Sequence, residues 1–157
     1  MKLDLLQGRV AKHRFHPMLV HFPTGLYPFS LATDIIGFVS LNDNFFNAGW
    51  YALFAAVGMS VPAILYGLLD FLKIETSSQA WKKAGIHALL NLLWFMIFCT
   101  LLFYRIKHLS VGVVYIAIMG LSTVGLFYSN YLGADLIISH RIGIDPDEDH
   151  KTKASQT

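Results

Sequence analysis

Residues 16–34 read HPMLVHFPTGLYPFSLATD, and this stretch decides the fold. Two histidines (His16, His21), three prolines (Pro17, Pro23, Pro28) and an aspartate (Asp34) interrupt a run that is otherwise apolar. Ionisable groups at membrane depth are costly, so they mark functional sites by default. A proline inside a spanning helix frees a backbone carbonyl that needs another partner. The stretch is therefore expected to begin a first transmembrane helix that also contributes to a site.

Composition points the same way. The chain has 157 residues, 55% of them hydrophobic and 14% charged, with a mean hydropathy of +0.51. Soluble domains carry about 25% charged residues. The length fits one compact domain, and a net charge of +2 identifies no partner. The single cysteine, Cys99, lies in an apolar run and rules out an internal disulfide. The segment before residue 18 is polar and basic, without a short apolar core and small-residue cleavage site. The first helix is thus expected to remain in the mature protein. There is no strand alternation, heptad pattern, Gly-rich phosphate loop or basic patch interleaved with aromatics, so nucleic-acid binding is not expected.

Four apolar spans follow one another, at about residues 18–41, 48–72, 85–104 and 110–140. Each reaches the ~20 residues needed to cross a bilayer core. The expected fold is an all-α, integral membrane four-helix bundle over residues 1–144, with both termini on one side. LNDNFFN is expected as the first turn, and KIETSSQAWKK as a polar connection. Residues 145–157 form a charged tail without apolar pattern, expected to be disordered.

Four crossings put the termini and the second connection on one side, with ten lysines and arginines there: Lys2, Arg9, Lys12, Arg14, Lys73, Lys82, Lys83, Arg141, Lys151 and Lys153. Only Arg105 and Lys107 fall on the other. The positive-inside rule makes the basic side cytoplasmic, as expected for a bacterial inner-membrane protein. This topology gathers His16, His21, Asp70, His87, Asn91 and His140 at one membrane boundary. His87 and Asn91 share a face, one turn apart. Gly125, Ser129 and Gly133 form a stripe at four-residue spacing that admits a helix or a flat ligand closely. Asp34 is expected near the far side, paired with a polar group of a neighbouring helix.

Four blocks carry a family resemblance: HPMLVHFPTGLYPFSLATD, GLLD at 67–70, HALLN at 87–91 and LGADLIISHRIGI at 132–144. Together they resemble the signature of the domain of unknown function 2231 family, approximately H-P-x-x-V-H-F-P, G-x-x-D-W, H-x-x-x-N and G-G-x-L-V-Y-x-H-G-V-G. The chain departs from it with Phe71 for the tryptophan, Gly133-Ala134 for the glycine pair and Arg141 for the glycine after His140. The resemblance implies a small four-helix membrane protein. Related domains occur joined to Rieske and c-type cytochrome modules, which implies redox work and a redox partner of that kind besides the lipid bilayer.

Histidines at helix ends often only satisfy a carbonyl, and Asp70 or Asn91 can serve as a helix anchor or interhelical glue. The convergence supports more. Bundle cores build cofactor sites from facing helices, and axial histidines hold haem iron. The expected function is electron transfer, with non-covalent haem b ligated from His21, His87, His140 and His16, in that order. Asp70, Asn91 and Gly133 would support the ligands. A copper, zinc or iron centre using the same residues, or an assembly subunit of a redox complex without cofactor, are the alternatives. His13, His108 and His150 are expected to be solvated or interfacial. No CxxCH motif is present, so covalent haem attachment is not expected. No thiol nucleophile or serine triad points to independent catalysis.

Overall fold

The computed structural model of the chain describes residues 9–10 and 13–140. A two-residue antiparallel pair, β1 (Arg9–Val10) and β2 (His13–Arg14), precedes four long helices. These are α1 (Phe15–Ser40), α2 (Asp43–Phe71), α3 (Gln79–Lys107) and α4 (Val113–His140). They run up and down as a bundle, so the start of α1 and the end of α4 lie at the same end. Packing is most extensive within two hairpins, α1 with α2 and α3 with α4. α2, α3 and α4 are each long and apolar enough to cross a membrane. At 29 residues, α2 and α3 extend about 43 Å, more than the ~30 Å of a hydrocarbon core.

Two expected boundaries are corrected. The LNDNFFN segment is not a turn. α2 begins at Asp43, because the Asn42 side chain accepts the Asn44 backbone N–H at 3.0 Å and caps the helix. The α1–α2 connection is therefore only Leu41 and Asn42, and Leu41 adopts the left-handed conformation (φ 52°). The second connection is shorter than expected as well. Ser78 accepts the Trp81 N–H at 3.1 Å, so the QAWKK segment forms the first turns of α3 rather than a loop. At its other end α3 continues to Lys107, taking in Arg105. The tail at 145–157 lies outside the described residues.

The bundle is apolar outside and mixed within. Phe22, Phe29, Tyr51, Leu65, Leu89, Phe103, Leu121 and Ile138 are among many large apolar side chains that face outward. Small and polar residues fill much of the interior: Ser30, Thr33, Ser60, Ser122, Thr123 and Ser129 are buried. Lipid offers no hydrophobic incentive to hide leucine, so close backbone approach and internal hydrogen bonds hold such helices together. Tyr27 of α1 stacks on Phe98 of α3 in mid-bundle, with centroids 3.6 Å apart and planes 12° apart. Ser60 gives its proton to the Ala56 carbonyl at 2.8 Å, so Tyr27 donates its own to Ser60 Oγ at 3.0 Å and ties α1 to α2.

Asp34 lies far from His16, about 27 Å along α1, and its partner is Arg105. Arg105 Nη1 meets Asp34 Oδ1 at 2.6 Å, with both side chains fully buried. Its Nη2 donates to the Phe46 carbonyl, and the guanidinium lies beside the Phe46 and Tyr115 rings. Residues of all four helices thus converge on one charge pair. Gly49 of α2 makes room for it, since a Cβ there would collide with the Asp34 carboxylate. Removing one partner of a buried pair strands the other, at a cost of about 3–5 kcal/mol. Asp34→Ala should therefore lower the thermal unfolding midpoint of the detergent-solubilised protein sharply. Asp34→Ala combined with Arg105→Met should recover much of the loss; equal loss in the single and double variants would show that the charges are not coupled.

Candidate functional site

At the other end of the bundle two histidines occupy matching environments. His16, near the start of α1, donates Nδ1–H to the Ala63 carbonyl of α2 at 2.8 Å. His87 of α3 donates Nδ1–H to the Ser129 carbonyl of α4 at 2.7 Å. A carbonyl only accepts, so each bond puts the proton of a neutral imidazole on Nδ1 and leaves the Nε2 lone pair available. One turn beyond each carbonyl stands a glycine against the ring. A Cβ on Gly67 would sit 2.8 Å from His16 Cε1, and one on Gly133 would sit 2.7 Å from His87 Cε1. Both rings are half-buried.

The remaining candidates are placed differently. His21 follows His16 by five residues, which turns it about 140° around the helix. It is exposed, and its Nδ1 donates to the Pro17 carbonyl of its own helix at 2.6 Å. His140 ends α4 about 10 Å beyond Gly133; it is half-buried, and its Nε2 is buried without a hydrogen-bond partner. Asp70 pairs with Lys73 at 3.4 Å in the closing turn of α2. The Asn91 amide lies against the His87 ring, 3.2 Å from Nδ1 and 3.1 Å from Nε2, and donates to the His87 carbonyl at 3.0 Å. The expected small-residue stripe is a seat for α3 rings: Trp94 covers Gly125 and His87 covers Gly133. His108 is exposed and stacks on Tyr104.

Ala63 and Ser129 act here through their backbone carbonyls, which residue type does not reveal: the sequence marks Ser129 only as part of the small-residue stripe, Gly67 only within the GLLD block, and Ala63 not at all. An ion pair at 2.7 Å between Lys83 and Asp135 joins the start of α3 to the end of α4 beside the site.

Chemically, the two imidazoles are preset as electron-pair donors. A ring whose Nδ1–H is bound to a carbonyl is held in one tautomer and one orientation, as in metal-ligating histidines. Among the described residues no group of three or more histidine, cysteine, aspartate or glutamate side chains could hold a metal ion. The donor set is two imidazoles. It fits a group that brings its own equatorial ligands better than a bare ion.

Residues 12–146 match a family model described as "Predicted membrane protein (DUF2231)". No curated protein and no solved structure matches the chain.

The glycine seats lend themselves to test. Overpacking a tight contact costs about 1–3 kcal/mol, so Gly67→Ala and Gly133→Ala should each destabilise the protein in thermal unfolding. Gly85→Ala, where a Cβ meets nothing within 4 Å, should leave the midpoint unchanged or raise it. Tolerance of Ala at all three positions would mean that the rings do not rest on glycine.

Proposed function

We propose a redox function for this chain, which belongs to the DUF2231 family of predicted membrane proteins: it carries b-type haem at the histidine end of its bundle and transfers electrons within the membrane. The observation that carries this reading is the pair of Nδ1–carbonyl bonds at His16 and His87. They turn the Nδ1 atoms of two imidazoles, one in each hairpin, to backbone carbonyls, so that Nε2 is the nitrogen each would offer to a ligand. Zinc and copper sites draw three or four ligands from the protein, more than this pair provides. Haem supplies four nitrogens and a one-electron couple of its own, and takes axial imidazoles from the protein.

The chain's own residues would do the rest. The Ala63 and Ser129 carbonyls hold the imidazoles at fixed angle and tautomer, and Gly67 and Gly133 let the rings lie flat against the neighbouring helices. The Asn91 amide, which lies against the His87 ring near both nitrogens, would shift on ligation. Of the four expected ligands, His16 and His87 rank first on this geometry. His140 follows, with its unpartnered Nε2, and His21, exposed and turned to its own helix, comes last. A Rieske or c-type cytochrome protein is the proposed electron partner.

The proposed orientation has both termini in the cytoplasm of a bacterium, with the histidine end at the inner face. Its support is the excess of lysine and arginine at that end. Of the two basic residues at the opposite end, Arg105 is neutralised inside the bundle by Asp34, which leaves Lys107 to face the far side.

Protein purified in detergent from haem-replete cells should show sharp alpha and Soret bands after dithionite reduction, and acid acetone should extract the pigment. His16→Ala and His87→Ala should each abolish or strongly alter the bands, whereas His21→Ala and His108→Ala should retain them. A colourless protein with stoichiometric copper or zinc would transfer the site to those metals; one with neither would make the imidazoles purely structural. For orientation, a reporter fused at the C-terminus should be active only as a cytoplasmic reporter, and one inserted at Leu41–Asn42 only as an external one. The reverse pattern would invert the protein in the membrane.

A further inference from the structure

The two hairpins repeat one another. Asp34 and Arg105, joined by the buried ion pair, are 71 residues apart. The same separation relates Tyr27 to Phe98, which stack on each other, and His16 to His87. In each case α1 and α3 contribute the same position of the helix. Residues that meet their own counterparts lie on a two-fold axis, as in an isologous interface. Here the axis runs along the bundle, because α1 and α3 point the same way.

α2 and α4 follow suit at a separation of 66 residues. Gly67 corresponds to Gly133, and Ala63 to Ser129. So do the buried pairs Leu53 and Met119, Ala56 and Ser122, and Ser60 and Leu126. The histidine contacts obey the same relation: each imidazole donates to the carbonyl four residues before the matching glycine. Apart from the histidine and glycine pairs the identities differ (carboxylate against guanidinium, tyrosine against phenylalanine), whereas the burial of the matched positions agrees.

From this repeat we infer that the site is single and shared: one planar tetrapyrrole per chain, on the quasi-two-fold axis between the hairpins, with His16 and His87 as its two axial ligands. The inference rests on the haem reading above and adds number, place and ligand pair to it. The repeat makes the two imidazoles equivalent, each seated in its own hairpin, and a six-coordinate iron between the hairpins would take one axial donor from each. A second haem would need a second equivalent pair, and the other histidines have none. The counterpart of His21 is Leu92, and that of His140 is Ile74. A cofactor so placed would also bridge hairpins that pack on each other less than within themselves.

The test uses the full chain in detergent, with haem measured as pyridine haemochrome against polypeptide by amino-acid analysis. One haem per chain is expected. His16→Met and His87→Met, which keep a weak iron ligand, should convert the whole low-spin bis-imidazole signal to a histidine–methionine one. Because the positions are equivalent, the two spectra should be nearly alike. His16→Met combined with His87→Met should lose the bis-imidazole signal entirely, while Leu92→Met, at the position matching His21, should leave it intact. Two haems per chain, or a bis-imidazole signal that survives in either single variant, would overturn the shared site and leave haem binding standing. A wild-type protein without haem would overturn both.

Discussion

Water is what a polar group lacks inside a membrane bundle, and the whole structure follows from that shortage. A buried donor or acceptor has to look for its partner within the protein, and among the described residues few buried side-chain atoms, Asp34 Oδ2 and Arg105 Nε among them, lack one. The Asp34–Arg105 pair is the costliest instance. Two charges are removed from solvent, and their attraction compensates only when geometry and further hydrogen bonds are good. Arg105 accordingly reaches the Phe46 carbonyl as well, beside two aromatic rings, and Gly49, which has no side chain, admits the carboxylate. One requirement thereby sets the rotation of α1 and α3 and the close approach of α2.

The same rule at the opposite end gives a different product. There the partners are backbone carbonyls already engaged in their own helices, and the donors are imidazoles. A carbonyl satisfies one ring nitrogen and leaves the other with its electron pair. Structural satisfaction and readiness to bind are thus the same bond seen from its two sides. That is why His16 and His87 read as a site even though each is well accommodated by the protein.

The four helices and their order were legible because uninterrupted apolar runs of this length have few other uses. The end at which the histidines gather was legible too, from counting crossings. Helix starts were harder to see: Asn42, Asp43 and Asn44 look like a loop, yet these residue types also cap helices, and Ser78 hides in a polar run for the same reason. Arg105 beside Lys107 and His108 reads as an interfacial cluster, and only the angular position of each residue on α3 separates the buried guanidinium from its exposed neighbours. His16 and His21 look like a pair in sequence, but a five-residue step places them on different faces. The internal repeat was hard to see in residue type because, apart from His16 and His87 and from Gly67 and Gly133, the matched positions named above carry different side chains. The described residues do not extend to the tail, where sequence remains the only guide.

The stacked Tyr27 and Phe98 rings sit between the two polar ends, flanked by fully buried Leu53 and Met119. They form a septum of mostly apolar side chains, in which the Tyr27 hydroxyl is paired with Ser60. The charge pair and the histidine end are thereby kept as two separate polar neighbourhoods, each built from its own residues and divided from the other by packed rings.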